Sequence, residues 1–251
     1  MNSTKSAEKT AWYLGCRASD VGQKAILIGD PARVDRIAPL LQEVRRFPEH
    51  RGLRTLSGRY RDQLITVAAF GMGAPIATIV LHELFDLGTR VFLRIGTAMV
   101  MPNTPLGHFL LAEGAIRREG TSLSYAPASY PATADVELNA ALAAQLDVAG
   151  YPWRAGMVAS FDGFYSELFA LDASAQPRIE KTRREMLELG VMALDMETSA
   201  ILTVARVLGA RAGSLCLATV DNANGRKLDA EQLAEREQQL FRIALDGLTS
   251  Q

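Results

Sequence analysis

Arg94 is the residue whose position most constrains the chemistry of this chain. It falls inside the apolar run Val91-Phe92-Leu93-Arg94-Ile95-Gly96-Thr97, where an unpaired charge costs on the order of several kcal/mol. It therefore needs an anionic partner, either a carboxylate of the chain or a bound oxyanion, which the Thr97 hydroxyl at the strand end would help to hold. A second anion-binding signal is Ile28-Gly29-Asp30-Pro31-Ala32-Arg33-Val34. Gly29 ends a strand and Arg33 stands in the first turn of the following helix, so backbone N–H groups and a guanidinium converge on one point. The same residues also describe a plain strand-to-helix turn. Glu197 follows Met196 and opens a helix at Thr198. A carboxylate there accepts hydrogen bonds from vicinal hydroxyls of a ligand, or it simply complements a helix N-terminus. Asp221 ends the run Leu215–Val220, at another strand's carboxyl end, and also reads as a turn-capping aspartate.

The elements that must position these residues follow from periodicity. Apolar runs at 25–28, 64–69, 91–93, 109–112, 157–159 and 214–220 predict buried strands, and amphipathic stretches at 32–41, 74–87, 135–149, 178–189, 197–208 and 229–248 predict helices. Pro31 and Pro75 suit first helical turns, and Gly88, Gly150, Gly190 and Gly209 suit helix ends. Strands alternating with helices imply an α/β fold: one domain with a central mixed β-sheet flanked by helices on both faces. The expected organisation is a polar tail over 1–10 and one domain over 11–251. In open sheets of this kind, ligands collect at the carboxyl ends of strands, where Thr97 and Asp221 lie.

Composition sets limits. The 251 residues carry 27 Lys and Arg against 28 Asp and Glu, and the cations are dispersed, so no nucleic-acid or membrane partner is expected. Cys16 and Cys216 stand in buried-type surroundings and suit free thiols in a reducing cytoplasm. No apolar run is long enough to span a membrane. His50, His82 and His108 are scattered and no cysteines are at ligand spacing, so neither a metal nor an organic cofactor is expected.

In order and spacing, Gly29-Asp30-Pro31 with Arg33, His50-Arg51-Gly52, Gly71-Met72-Gly73, Leu93-Arg94-Ile95-Gly96-Thr97 and Asp195-Met196-Glu197 resemble the nucleoside phosphorylase family. That family includes bacterial purine nucleoside phosphorylase and uridine phosphorylase, and the resemblance runs from about Tyr13 to about Ala244. It implies phosphorolysis of nucleosides to free base and (deoxy)ribose 1-phosphate, with inorganic phosphate as co-substrate. It implies that Gly29, Arg33, Arg94 and Thr97 hold phosphate together with an Arg51 supplied by a neighbouring subunit, so that a homo-oligomer shares its active sites. It further implies that Glu197 binds the ribose hydroxyls, that Met72 and Met196 pack on the sugar, and that Phe164 lies beside the base. Asp221 and Arg236 resemble the aspartate that protonates a departing purine and the helix-borne arginine that closes on it.

The chain also departs from the family pattern. Met99 replaces a glycine near the base, and Tyr13 stands where relatives supply a histidine to the sugar of the adjacent subunit. Ser166-Glu167-Leu168-Phe169 occupies the place of the Gln-x-Arg by which uridine phosphorylases read uracil, whereas Gly120–Pro127 looks closer to those enzymes. The reading favours purine nucleosides through Asp221 and Arg236, with uridine phosphorylase as the alternative. A nucleosidase using water has no need of Arg33, Arg51 and Arg94; a non-catalytic nucleoside-binding protein is the remaining class.

Overall fold

The structure, a computed structural model, describes residues 8–250. The expected polar tail lies outside the described residues for 1–7, while Thr10 bridges Arg17 and the Lys9 carbonyl accepts from Ala18 N. In chain order the elements are β1 (Lys24–Ile28), α1 (Pro31–Ile37), β2 (Gln42–Arg46), β3 (Thr55–Tyr60), β4 (Gln63–Ala69), α2 (Ala74–Leu87), β5 (Val91–Val100), β6 (Phe109–Arg118), β7 (Ala132–Thr133), α3 (Val136–Ala149), β8 (Trp153–Phe161), α4 (Gln176–Glu188), β9 (Ala193–Asp195), α5 (Thr198–Val207), β10 (Arg211–Asp221) and α6 (Ala230–Thr249). Capping follows local chemistry. The carboxylates of Asp30, Asp135 and Asp229 accept backbone N–H groups at the starts of α1, α3 and α6.

All strands join one mixed sheet, ordered β10-β6-β8-β9-β5-β1-β4-β3-β2 with β7 on β6. Because β5 pairs with both β10 and β9, the strands β5, β10, β6, β8 and β9 close into a circuit, while β1, β4, β3 and β2 extend from it as an open sheet. Side chains alternate across the strands. Ala25, Leu27, Phe92 and Cys216 pack with α2 and α5, whereas Ile26, Ile28, Leu93 and Leu215 pack with α1, α3 and α6. The expected layers are thus present, with a core on each face and a third apolar cluster of Met99, Phe161, Leu168, Met186 and Leu194.

The six expected helices are present within a few residues, although α1 stops at Ile37 and continues as a short 3-10 turn. Strands β5, β6 and β8 run well beyond the apolar runs that predict them, and β2, β3, β7 and β9 carry no such run.

Gly22 shows how closely the backbone packs at the base of the sheet. A methyl group there would sit 2.0 Å from the Leu64 carbonyl oxygen. Gly22→Ala is expected to cost about 3 kcal/mol or more, read as a lower urea midpoint at unchanged m-value; a midpoint equal to the parent's would refute this packing.

Candidate active site

Arg94 lies in the middle of β5 and is 4% exposed. Alternation turns it toward α5, on the same face as Phe92 and Ala98. Its Nη2 donates to Glu197 Oε2 at 2.6 Å and stands 3.1 Å from Asp195 Oδ2, and its Nη1 donates to the Cys216 thiol on β10. Gly96 makes room for this, since a methyl there would come within 3.1 Å of Arg94 Nη1. Burial opposes the arginine's charge, yet the Asp195 and Glu197 carboxylates beside it hold it above the ordinary arginine range. Burial also pushes the Cys216 thiol up, against the pull of Arg94. The thiol is therefore neutral near pH 7, and the two carboxylates carry the stabilisation.

The carboxylates are themselves fixed. Asp195 Oδ1 accepts from Ser160 Oγ at 2.6 Å, and Oδ2 accepts from the Thr198 hydroxyl. Thr198 in turn pairs with Ser214 Oγ at 2.9 Å. Glu197 immediately precedes α5, and its Oε1 accepts from Gly73 N at 2.7 Å, at the start of α2. Gly73 has φ of 100°, which suits glycine. One carboxylate thereby ties the loop Gly71-Met72-Gly73 to the strand-borne arginine, with lone pairs left for hydroxyl donors.

These groups line a cleft of ≈ 740 Å³ at the strand ends. Gly29, Arg33, Met72, Arg94, Thr97, Met99, Phe164, Met196 and Glu197 are all among its lining residues. Gly29 approaches the opposing loop so closely that a methyl on it would be 3.0 Å from the Gly71 carbonyl. The Thr97 hydroxyl makes no hydrogen bond to another described residue. Phe164 opens a single π-helical turn, Phe164–Leu168, and stacks on Phe169 with ring centroids 6.3 Å apart.

Four expected site residues lie elsewhere. Tyr13 and Arg51 do not line the cleft of their own chain; they meet each other, with the guanidinium 5.4 Å from the phenol ring centroid. Asp221 is absent from the lining, and its carboxylate is engaged in a turn, accepting from Ala223 N at 2.8 Å and from Asn224 Nδ2 at 3.0 Å. Arg236 lies over the Tyr151 ring, 4.3 Å from its centroid, and no ion pair joins it to Asp221 among the described residues. The expected acid–arginine pair is not formed among the described residues: residues 221–227 fold back on β10, and α6 presents Arg236 to Tyr151.

The next residue of α6 takes the place nearer the site. Glu237 is buried and binds Arg33 and Arg36 of α1 together. It stands at the head of the apolar stripe Leu240, Phe241, Ala244 and Leu248, and a charge on that stripe was the available signal. Asp195 ends β9, which no predicted strand marks, and its place in Asp195-Met196-Glu197 is the signal that could have found it. Lys227, in the turn after β10, also lines the cleft, and nothing in its local sequence marks it.

A charge-paired arginine and a hydroxyl-accepting carboxylate side by side, with an apolar shelf beyond them, fit one class of reaction: transfer of a pentosyl group from a base to phosphate. The chain belongs to the phosphorylase superfamily, whose family model matches residues 23–248, and it is a nucleoside phosphorylase. It is 32% identical over 215 residues to a uridine phosphorylase of Thermococcus kodakarensis, covering 84% of this chain and 78% of that one. It is 30% identical over 248 residues to a guanosine phosphorylase of Halorubrum lacusprofundi, covering 95% and 98%. The crystal structure of uridine phosphorylase from Vibrio fischeri superposes with a TM-score of 0.87 at 28% identity, covering 98% of this chain and 99% of that one. Among the described residues no helix is long and apolar enough to cross a membrane.

Proposed function

We propose that this enzyme is a uridine phosphorylase, cleaving uridine with inorganic phosphate to uracil and ribose 1-phosphate. The observation that carries the reading is the Arg94–Glu197 pair at 2.6 Å, which sets an anion site against a sugar site at the bond to be broken. Phosphate is held by Arg33, Arg94, Thr97 and the Gly29 backbone, with Arg51 reaching in from a neighbouring copy. Glu197 accepts from the ribose hydroxyls, Met72 and Met196 pack on the sugar with Tyr13 of that neighbour, and Phe164 and Met99 flank the base. Phosphate attacks C1′ while positive charge builds on the sugar, and the electron pair of the glycosidic bond leaves with the base.

Uracil is favoured over purine for two reasons. The purine expectation rested on Asp221 and Arg236, neither of which faces the cleft, and the relatives include uridine phosphorylases from distant organisms. Residues 120–127 point the same way. Release of free base from uridine, inosine and adenosine, each with and without phosphate, tests the proposal. Phosphate-dependent release fastest from uridine is expected. Equal release without phosphate would indicate a hydrolase, and inosine as the best substrate would overturn the base assignment.

A further inference from the structure

Departure of the base leaves negative charge on its ring, and the residue expected to meet that charge, Asp221, is an acceptor already engaged in a turn. The base end of the cleft is otherwise apolar, walled by Met99, Phe164, Leu168, Phe169, Leu171 and Val220. One cation stands among them. Lys227 bridges Val220 across an antiparallel pair, and directly opposed residues in such a pair send their side chains to the same face. Val220 packs with Met99 and Leu168, so the lysine stem rises from that same wall.

Backbone hydrogen bonds fix the turn that delivers Lys227. Asp221 N donates to the Arg226 carbonyl at 2.8 Å, and Leu228 N donates to the Thr219 carbonyl at 2.9 Å. Gly225, at φ 70°, lies against Phe169, where a methyl would be 3.4 Å from the ring. The Lys227 ammonium makes no hydrogen bond or ion pair with any described residue, although it lines the cleft. An ammonium has three donors and no acceptor.

We propose that Lys227 donates to an exocyclic carbonyl oxygen of the bound base and stabilises the charge that develops there as the glycosidic bond breaks. In that step a phosphate oxygen bonds to C1′, and the N–C1′ bond breaks with its electron pair going to the base. The charge delocalises onto the ring carbonyl beside Lys227, and solvent later protonates the base nitrogen. The substrate class is accordingly nucleosides of oxo bases. A base that turns an exocyclic amino group toward Lys227 sets donor against donor and is rejected. This rests on the nucleoside phosphorylase reading and deepens it.

The test is steady-state kinetics of the full chain and of Lys227→Met and Lys227→Arg on uridine, cytidine, inosine, adenosine and 5-fluorouridine, with thermal unfolding to confirm folding. The parent should prefer uridine to cytidine and inosine to adenosine. Lys227→Met should lower kcat/KM for uridine about 10- to 100-fold, the range of a hydrogen bond to a charged group, with most of the loss in kcat. The loss should be smaller for 5-fluorouridine, whose ring already withdraws charge, and Lys227→Arg should restore part of the rate. Retention of kcat/KM within about 2-fold by Lys227→Met, or equal losses on uridine and 5-fluorouridine, would overturn the proposal while leaving uridine phosphorolysis intact. If inosine proves the better substrate but shows the same Lys227 dependence, the uridine assignment falls and the role of Lys227 stands.

Discussion

Arg94→Met lowers kcat/KM for phosphate by roughly 1000-fold, the loss expected when a preorganised charge is withdrawn from a reacting anion. Two properties of Arg94 make the effect large. It is buried and held by three neighbours, so little reorganisation is needed when phosphate arrives. Its charge also acts in a site largely shielded from water. The same substitution removes the counter-charge of Asp195 and Glu197, both buried, and should cost about 3–5 kcal/mol of stability. Kinetics with phosphate varied at saturating uridine, together with urea unfolding, measure the two losses. The double variant Arg94→Met with Glu197→Gln separates them: part of the stability should return, and the activity should not. A single variant with unchanged phosphate dependence would remove Arg94 from the phosphate site.

Glu197→Gln is expected to lower kcat/KM for uridine by roughly 100-fold or more while leaving phosphate affinity unchanged or improved. One oxygen of Glu197 faces Arg94 and the other faces Gly73 N. An amide must turn its NH₂ toward one of those donors, so one of the two contacts that fix the side chain is lost. Arg94 is at the same time relieved of a competing anion, which accounts for the opposite sign expected for phosphate. The diagnostic measurement is the ratio of kcat/KM for uridine to that for 2′-deoxyuridine. If Glu197 reads the 2′-hydroxyl, the ratio falls toward unity in the variant. A ratio that stays at the parent value would mean that Glu197 only positions Arg94.

The anion site was legible because it breaks a local rule. A guanidinium in an apolar strand needs a partner, whereas the Gly29–Arg33 turn, which also describes a plain strand-to-helix connection, took its meaning from the resemblance. The other end was not, because it depends on how a turn folds back. Val220 meets Lys227 only through the excursion over residues 221–226 that Asp221 caps, and the face of α6 turned toward the site is set by helical phase. A one-residue step around the helix, about 100°, separates Arg236 over Tyr151 from Glu237 under Arg33. The missed strands have a similar explanation. All of Gln42–Arg46 is exposed, Glu43 has a φ of 50°, and the strand is held by its pairing with β3 rather than by burial. Strand β5 outruns its apolar stretch because its second half carries site residues.

The Glu237 clasp bears on how the protein comes to be folded. Its carboxylate joins residues more than 200 positions earlier in the chain. During synthesis the Gly29–Arg33 turn is made first, and Arg33 lacks its anchor until the last helix has been translated and docked. Contacts of such sequence separation form late, because the loop they close is long. The Arg33 end of the cleft is therefore expected to be among the last parts of the molecule to acquire native geometry, and a chain cut short before α6 would retain the Gly29–Arg33 sequence without its clasp.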